Sequence, residues 1–448
     1  MRYDLAVIGS GQGGVPLALD FAKSGARVVL FERGDLGGTC VNVGCTPSKA
    51  FLASAHAAGR ARRAKPLGVT AQVSVDVAAV MARVREIVGD WRDGIEAKLA
   101  RSSVELVRAD ASFEAPHQIR AAGEVYEADQ VVLDTGARAT IPPVDGLAGT
   151  PYLTNETFFR QETLPRSMIV LGSGYIGLEL GQGAARLGTE VTVVTPDDRI
   201  LAREELDVCS VLTRSLGVDG VRTLLERRAV RVAHDGTRFT VTLDDGTVLE
   251  AEGLLVSIGR TPNIPDGTRE RAGIALDERG FVRCDEHLRT SVTQHYALGD
   301  VAGQPQFTHV SWEDFRRLRA VMRGDLSRTR NDRVLAYAMY TEPQIGRVGI
   351  TADDAVMHGR DHRVVTLALS DVARGVEWGL EEGFFRLVVD PSNDAILGAT
   401  FIGYEAGELI HVILAHMEAG STWRVLERSV HVHPTFAEGI PSLARLLA

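Results

Sequence analysis

Two cysteines with four residues between them, Cys40 and Cys45 in GGTCVNVGCTPSK (Gly37–Lys49), are the first residues in this chain whose type and spacing suggest chemistry. The spacing suits a disulfide that opens and closes within one turn-rich segment at the start of a helix. A helix N-terminus carries partial positive charge, which favours a thiolate over a thiol. Thr39, Asn42 and Gly44 read as loop and turn residues, and Pro47 suits the first turn of a helix running through Ala50, Phe51, Leu52 and Ala53. Zinc is the rival use of such a pair, but zinc sites need further ligands at matching spacing, and no second cysteine pair is present. The pair reads as a redox couple. Cys209 and Cys284 read as small buried thiols.

A redox pair needs an electron source, and two stretches of the chain are suited to holding one. Residues 3–14, YDLAVIGSGQGG, read as an apolar strand entering a glycine turn at Gly9, Gly11 and Gly14. A helix follows through Leu17 and Phe21, then a second strand, Arg27–Phe31, ending in Glu32. Such glycines let a pyrophosphate approach backbone N–H groups at a helix start, and the acid is placed for ribose hydroxyls. The pattern recurs from Met168, MIVLGSGYIGLELG, with Gly172, Gly174 and Gly177, and Glu190–Val194 as its second strand. Two units imply two dinucleotides, a bound flavin and an exchangeable nicotinamide being the natural pairing. In the second unit Thr195 stands where an acid would hold the 2′-hydroxyl of NADH; Arg199 leans towards the 2′-phosphate of NADPH, while Asp197 and Asp198 pull the other way.

Other stretches read as the frame around these units. Val75–Arg101 is an amphipathic helix whose stripe (Val77, Val80, Met81, Val84, Ile87, Val88, Trp91, Ile95, Leu99) is core packing. VVLDTGA (Val131–Ala137) and LLVSIGRTPN (Leu254–Asn263) are buried strands ending in turns, and SVTQHYALGD (Ser291–Asp300) is a further strand. Asp300 is either a surface turn acid or an acceptor for a ribityl chain. From about Asp332, strand-like runs precede helices, an α+β texture. Thr351 with Asp354 makes a capping box. Near the end, in HVHPTFAEG, His433 and Glu438 are a possible imidazole–carboxylate pair.

A chain of 448 residues exceeds what one core usually holds, so several domains are expected. The formal charge of −10 argues against a nucleic-acid surface, and the only basic tract, Arg60–Lys65, reads as a solvated helix end. No apolar stretch is long enough to span a membrane. A strand beginning at Tyr3 leaves no room for a signal peptide, and four cysteines make no secreted framework, so a cytoplasmic enzyme is expected.

Taken together, GSGQGG, GGTCVNVGCTPSK, DTGA, GSGYIG, SIGRTPN, YALGD and HPTFAEG, in that order along nearly the whole chain, resemble the class I pyridine nucleotide–disulfide oxidoreductases, the family of glutathione reductase, dihydrolipoamide dehydrogenase and mercuric reductase. The resemblance implies an α/β fold with two Rossmann-like dinucleotide-binding domains and a C-terminal α+β dimerisation domain. Its implied boundaries are 1–150 and 266–331 for FAD, 151–265 for NADPH or NADH, and 332–448 for dimerisation. It implies a homodimer with a shared active site, in which electrons pass from nicotinamide through FAD to a Cys40–Cys45 disulfide and on to a small-molecule acceptor. Cys45 would lie next to the flavin and Cys40 would attack the acceptor. His433 of the other chain would be general acid and base, oriented by Glu438. Lys49 and Glu179 would pair beside the flavin, Tyr175 would cover the nicotinamide pocket, and Gly38, Thr39, Gly136, Gly259 and Asp300 would complete the cofactor set.

Phe307–Arg317 (FTHVSWEDFRR) is more similar to the mercuric-reductase-like branch, which also resembles reductases of reactive chlorine or thiocyanate oxidants. Trp312 and Phe315 there read as helix core. The C-terminal cysteine pair of mercuric reductases is missing from SLARLLA. The expected activity is reduction of a disulfide or a thiol-reactive oxidant. The alternatives are flavin-level reduction of quinones or metal ions, and a redox-responsive binding protein or assembly subunit.

Overall fold

The run Val28–Phe31 is buried at every position, as befits a parallel strand covered on both faces. In the computed structural model, which describes residues 2–448, it lies between Arg2–Ile8 and Glu105–Val107. Arg2–Ile8 pairs on its other side with Glu124–Leu133, from which the sheet continues antiparallel through Gln118–Ala121 and Ser112–Ala115. The remaining strand comes from far along the chain: His295–Ala297 runs parallel to Val131–Leu133.

Between those strands the chain builds a second parallel sheet. Ser167–Leu171 is flanked by Glu190–Val194 and Gly253–Val256, with Arg222–Leu224 outermost. A three-stranded antiparallel meander, Ala229–His234, Phe239–Leu243 and Val248–Ala251, precedes its last strand. Ala137–Ala139 and Arg260–Pro262 pair antiparallel, so the segment leaving the first sheet and the segment returning to it run side by side. The third sheet is antiparallel, in the order Ala336–Met339, Gln344–Gly349, Ile396–Gly403, Phe384–Val389, Arg363–Ala368, and the helix Ala406–Glu418 packs across it. Thr351 and Asp354 form the expected capping box. No helix of the described residues is long and apolar enough to cross a membrane.

Four local expectations change. Thr39 and Asn42 lie in a short helix, Gly38–Asn42, because the Asn42 amide turns back to donate to the carbonyls of Leu36 (2.9 Å) and Gly38 (3.0 Å). Of Ser291–Asp300 only His295–Ala297 is strand; Gln294 has φ +61°, and Gly299–Ala302 is a 3₁₀ turn. Trp91 is 59% exposed, since it falls on the flank of the Val77–Ala100 stripe whose centre is Met81, Val84, Val88 and Leu99. The Arg60–Lys65 run does close the helix Cys45–Arg62, but it is not merely solvated: Arg60 meets Glu342 and Arg63 meets Asp219, each at 2.6 Å.

Those contacts belong to a larger lock. Arg186, on the helix Tyr175–Arg186 that follows the second glycine turn, has a side chain 1% exposed. It donates to Asp219 at 2.8 Å and to Glu342, and lies 2.9 Å from His56 Nδ1. His56 is on the cysteine helix and Glu342 leads into the third sheet, so one guanidinium joins all three parts. Arg186→Ala leaves Glu342 and Asp219 with only the half-exposed Arg60 and Arg63 as cations and is expected to cost about 1–3 kcal/mol, measured as a lower denaturant midpoint. An unchanged midpoint would show that the junction is held elsewhere.

Candidate active site

The site grows from the two glycine turns. Gly9 has φ +107°, and a Cβ there would sit 2.3 Å from the Asp134 carbonyl oxygen. The turn is thus pressed against the end of the neighbouring strand. Asp134 is buried, its Oδ2 accepts from the Gly14 N–H at 2.7 Å, and burial pushes its pKa well above the carboxylate range despite that bond. Glu32, one residue past its strand, accepts from Ser10 N (3.0 Å), Ser10 Oγ (2.6 Å) and Gly34 N (2.8 Å), so its carboxylate is set before any ligand arrives. Gly172 repeats the first geometry at φ +103°, against the Ser257 carbonyl.

The cysteine segment lies between the turns. Cys45 is the first residue of its helix, where the unpaired N–H groups point. Its Sγ is 3.1 Å from Thr308 Oγ1, and Thr308 opens another helix, Thr308–Met322. Both cysteines are free thiols in hydrogen-bond contact. The bond from Cys40, helped by Thr308 and the Lys49 charge, overcomes burial and lowers Cys45 to about 6. The same bond and burial raise Cys40. The proton therefore stays on Cys40 and the charge on Cys45. Lys49, one turn further along, pairs with Glu179 at 2.8 Å, and its ammonium lies 4.5 Å from the Tyr340 ring centre. Burial opposes the Lys49 charge, but the Glu179 carboxylate outweighs it and raises Lys49.

Arg260 follows the glycine singled out at 259. It donates to Asp300, to Thr39 Oγ1 (3.2 Å) and to the Ala137 carbonyl (2.7 Å), while its Nε is buried with no protein partner among the described residues. Burial raises Asp300 against the pull of Arg260. Asp300 is therefore not a surface turn acid.

A single cavity of about 1940 Å³ connects these groups. Of the residues singled out by sequence, Gly9, Gly11, Glu32, Gly38, Thr39, Cys40, Cys45, Lys49 and Gly136 line it, as do Gly172, Gly174, Tyr175, Glu179, Gly259 and Asp300. Gly14 and Gly177 do not; a Cβ on either would strike the carbonyl of the turn's first glycine (2.4 and 2.5 Å), so they serve helix–strand packing. Arg199 does not line the cavity either; it is folded back onto Asp198 (2.9 Å) and the Ala202 carbonyl (3.0 Å). His433 and Glu438 are paired, Nδ1 to Oε2 at 2.7 Å, but lie outside the cavity on a surface where His433 is 71% exposed.

Residues 3–314 match the family described as pyridine nucleotide-disulphide oxidoreductase, and residues 335–444 match its dimerisation domain. The chain belongs to this family. It is 32% identical to the dihydrolipoyl dehydrogenase of Thermus scotoductus, over 99% of this chain and 97% of that protein. It is 30% identical to the mercuric reductase of Bacillus cereus, over 98% of this chain and 70% of that one. The solved structure of the HOCl-induced flavoprotein disulfide reductase RclA from Escherichia coli, as a Cu(II) complex, superposes with a TM-score of 0.92 at 29% identity, over 100% of both chains.

This family member is an FAD-dependent NAD(P)H:disulfide oxidoreductase and a homodimer. Its residues fit both dinucleotides. The cavity passes both glycine turns, the orphaned Arg260 Nε is a donor suited to a bound anion, and a Cβ at Gly174 would project into open space that a ligand can use. The motif reading missed Asp134, Thr308, Tyr340 and the side chain of Arg260. DTGA and SIGRTPN contained two of them, but only their glycines had been given a role.

The Cys45 charge has a direct test. In the dithiol protein its thiolate exists above pH of about 6 and is lost below. Ultraviolet thiolate absorbance, taken against Cys45→Ser, is expected to fall as pH drops through that value, and Lys49→Met is expected to move the midpoint up. A midpoint at about 8.5, that of a free thiol, would overturn the assignment.

Proposed function

We propose that this reductase passes electrons from NADPH to a disulfide or another thiol-reactive oxidant, with Cys40 as the attacking sulfur. The observation that carries this reading is the proton asymmetry of the pair: Cys45 faces the cavity as the lowered thiol and Cys40 is raised. In this assignment residues 1–150 and 266–331 hold FAD, 151–265 hold the nicotinamide dinucleotide, and 332–448 pair the protomers. Bound FAD supplies the two-electron link between nicotinamide and sulfur. Lys49, Glu179 and Tyr340 set the charge at the cavity wall next to Cys45. Once reduced, Cys40 loses its proton to a base and attacks one sulfur of the acceptor, forming a mixed disulfide and expelling a thiolate that takes up a proton. Cys45 then attacks Cys40 Sγ, releasing the second thiolate and restoring the Cys40–Cys45 bond.

The base is assigned to His433 of the other protomer. Its Nδ1 is engaged by Glu438, which leaves Nε2 to carry the proton. Val430 and Val432 beside it are 97% and 77% exposed in the single chain, an apolar edge that suits a face covered in the dimer. Support for an oxidant as acceptor is the likeness to the HOCl-induced reductase. Support for NADPH is that Arg203 and Arg228 line the cavity, and neither side chain has a hydrogen-bond or ion-pair partner among the described residues. Residues 227 and 228 flank Thr195, through Arg227 N to Thr195 O at 2.9 Å. A cytoplasmic setting suits a chain whose Cys209 and Cys284 are unpaired thiols raised by burial.

Two experiments test these assignments. Neither Cys45→Ser nor His433→Gln homodimers should turn over acceptor, but dimers reassembled from an equal mixture should regain about a quarter of the native rate, because half are heterodimers with one intact site. No recovery would remove the shared site. Arg228→Ala should lower kcat/KM for NADPH about tenfold or more and leave NADH unchanged; equal losses for both would remove the phosphate assignment.

A further inference from the structure

Glu204 precedes the helix Leu206–Val218, and its side chain is 1% exposed. Its carboxylate is held by three donors. Oε1 accepts from the Tyr175 hydroxyl at 2.5 Å and the Tyr337 hydroxyl at 2.9 Å, and Oε2 accepts from Arg347 Nη1 at 2.5 Å. Arg347 stands on the third sheet and also reaches Asp354 at 3.4 Å. Tyr175 opens the helix behind the second glycine turn. Glu204 therefore ties a ring on the nicotinamide side of the cavity to the third sheet. The contact continues towards sulfur: Phe307 stacks on Tyr337 with centroids 5.2 Å apart, and the next residue, Thr308, touches Cys45.

The donors are not equivalent. Tyr337 and Arg347 come from neighbouring strands of one sheet, whereas Tyr175 reaches Glu204 from a different unit. If the Tyr175 ring swings out, two donors remain and the acid stays satisfied in place. Breaking one of three bonds to a carboxylate costs far less than baring it.

We propose that Glu204 is a positioning residue that latches Tyr175 shut over the nicotinamide pocket and recaptures it when the dinucleotide leaves. This rests on Tyr175 being the cover of that pocket. Each binding event must first break the Tyr175–Glu204 bond, so the apparent dissociation constant is raised by the inverse of the unlatched fraction. Burial, with Tyr337 and Glu204 close by, raises Tyr175, so its hydroxyl remains a donor throughout the working pH range.

The test is stopped-flow flavin bleaching of the FAD-bound protein over a range of NADPH and of NADH, which separates nucleotide affinity from the limiting rate. Tyr175→Phe keeps the ring and removes the latch; Glu204→Gln weakens it from the other side. Each should lower the dissociation constant about three- to tenfold without raising the limiting rate. The double variant should go no further than Tyr175→Phe alone. Tyr175→Phe leaves Glu204, Tyr337 and Arg347 paired, so it decides the matter even if Glu204→Gln folds poorly. An unchanged affinity in Tyr175→Phe, alongside tighter binding in Tyr175→Ala, overturns the latch and leaves the cover standing. No change in Tyr175→Ala overturns the cover and the latch with it. Additive single effects overturn the coupling.

Discussion

The Lys49–Glu179 pair is the constraint on which the rest of the site depends. Lys49 belongs to the helix that Cys45 opens, Glu179 to the helix behind the second glycine turn, and the other oxygen of Glu179 accepts from Tyr340 N at the edge of the third sheet, at 2.8 Å. One carboxylate, 7% exposed, thus fixes three separately folded segments around one cavity. Such a pair is held at the expense of desolvating Glu179, and removing Lys49 leaves that carboxylate with the Tyr340 N–H as its partner, at a cost of about 1–3 kcal/mol. A hydrophobic contact would join the segments as firmly. It would not place a cation where Cys45 needs one, and this makes the pair chemical as well as structural.

The two glycine turns share a backbone and differ in what surrounds them. A Cβ at Gly11 would meet the Asp134 carboxylate at 2.7 Å, and one at Gly38 would meet the Gly11 Cα at 3.0 Å. The first turn is enclosed by its own neighbours. At the corresponding Gly174 nothing lies within 4 Å, and the adjoining wall is the Tyr175 ring, a single side chain. An enclosed cradle suits a dinucleotide that stays, and an open one with a movable wall suits a dinucleotide that exchanges each turnover. On the proposed assignment, a few residues around the loop tune the same fold unit for retention or exchange.

What was legible in the sequence was whatever lies within about twenty residues: strand, turn and helix in both units, the terminal acid of the first, the cysteine helix, and the capping box at Thr351. What was not legible depends on chain segments meeting from afar. Glu179, 130 positions from Lys49, was paired with it only through the family resemblance, and Thr308, 263 from Cys45, was not placed at all. Glu204 is an acid in an unremarkable Arg-Glu-Glu run until Tyr175, Tyr337 and Arg347 converge on it. The local misreadings have the same origin. Residues 39–42 have turn composition, but the Asn42 amide closes them into a helix, and Trp91 matches the helical period yet sits at the margin of the face that the rest of the fold covers.

On the proposed route, the division of charge between the thiols gives dimerisation a chemical role. The contacts that raise Cys40 are its bond to the Cys45 thiolate and burial, and both hold the proton on Cys40. Lys49 stays charged beside Glu179 and accepts no proton. Within one protomer, then, Cys45 is activated and Cys40 is held protonated, while on the proposed route Cys40 must attack first. On the proposed route the acceptor is the imidazole of the other protomer, and the imidazole–carboxylate pair His433–Glu438 is formed but faces outward, away from its own cavity. A pair preassembled where its own chain has no use for it is accounted for by a second copy. On this reading dimerisation supplies the base that the thiol asymmetry leaves out, and neither feature is functional without the other.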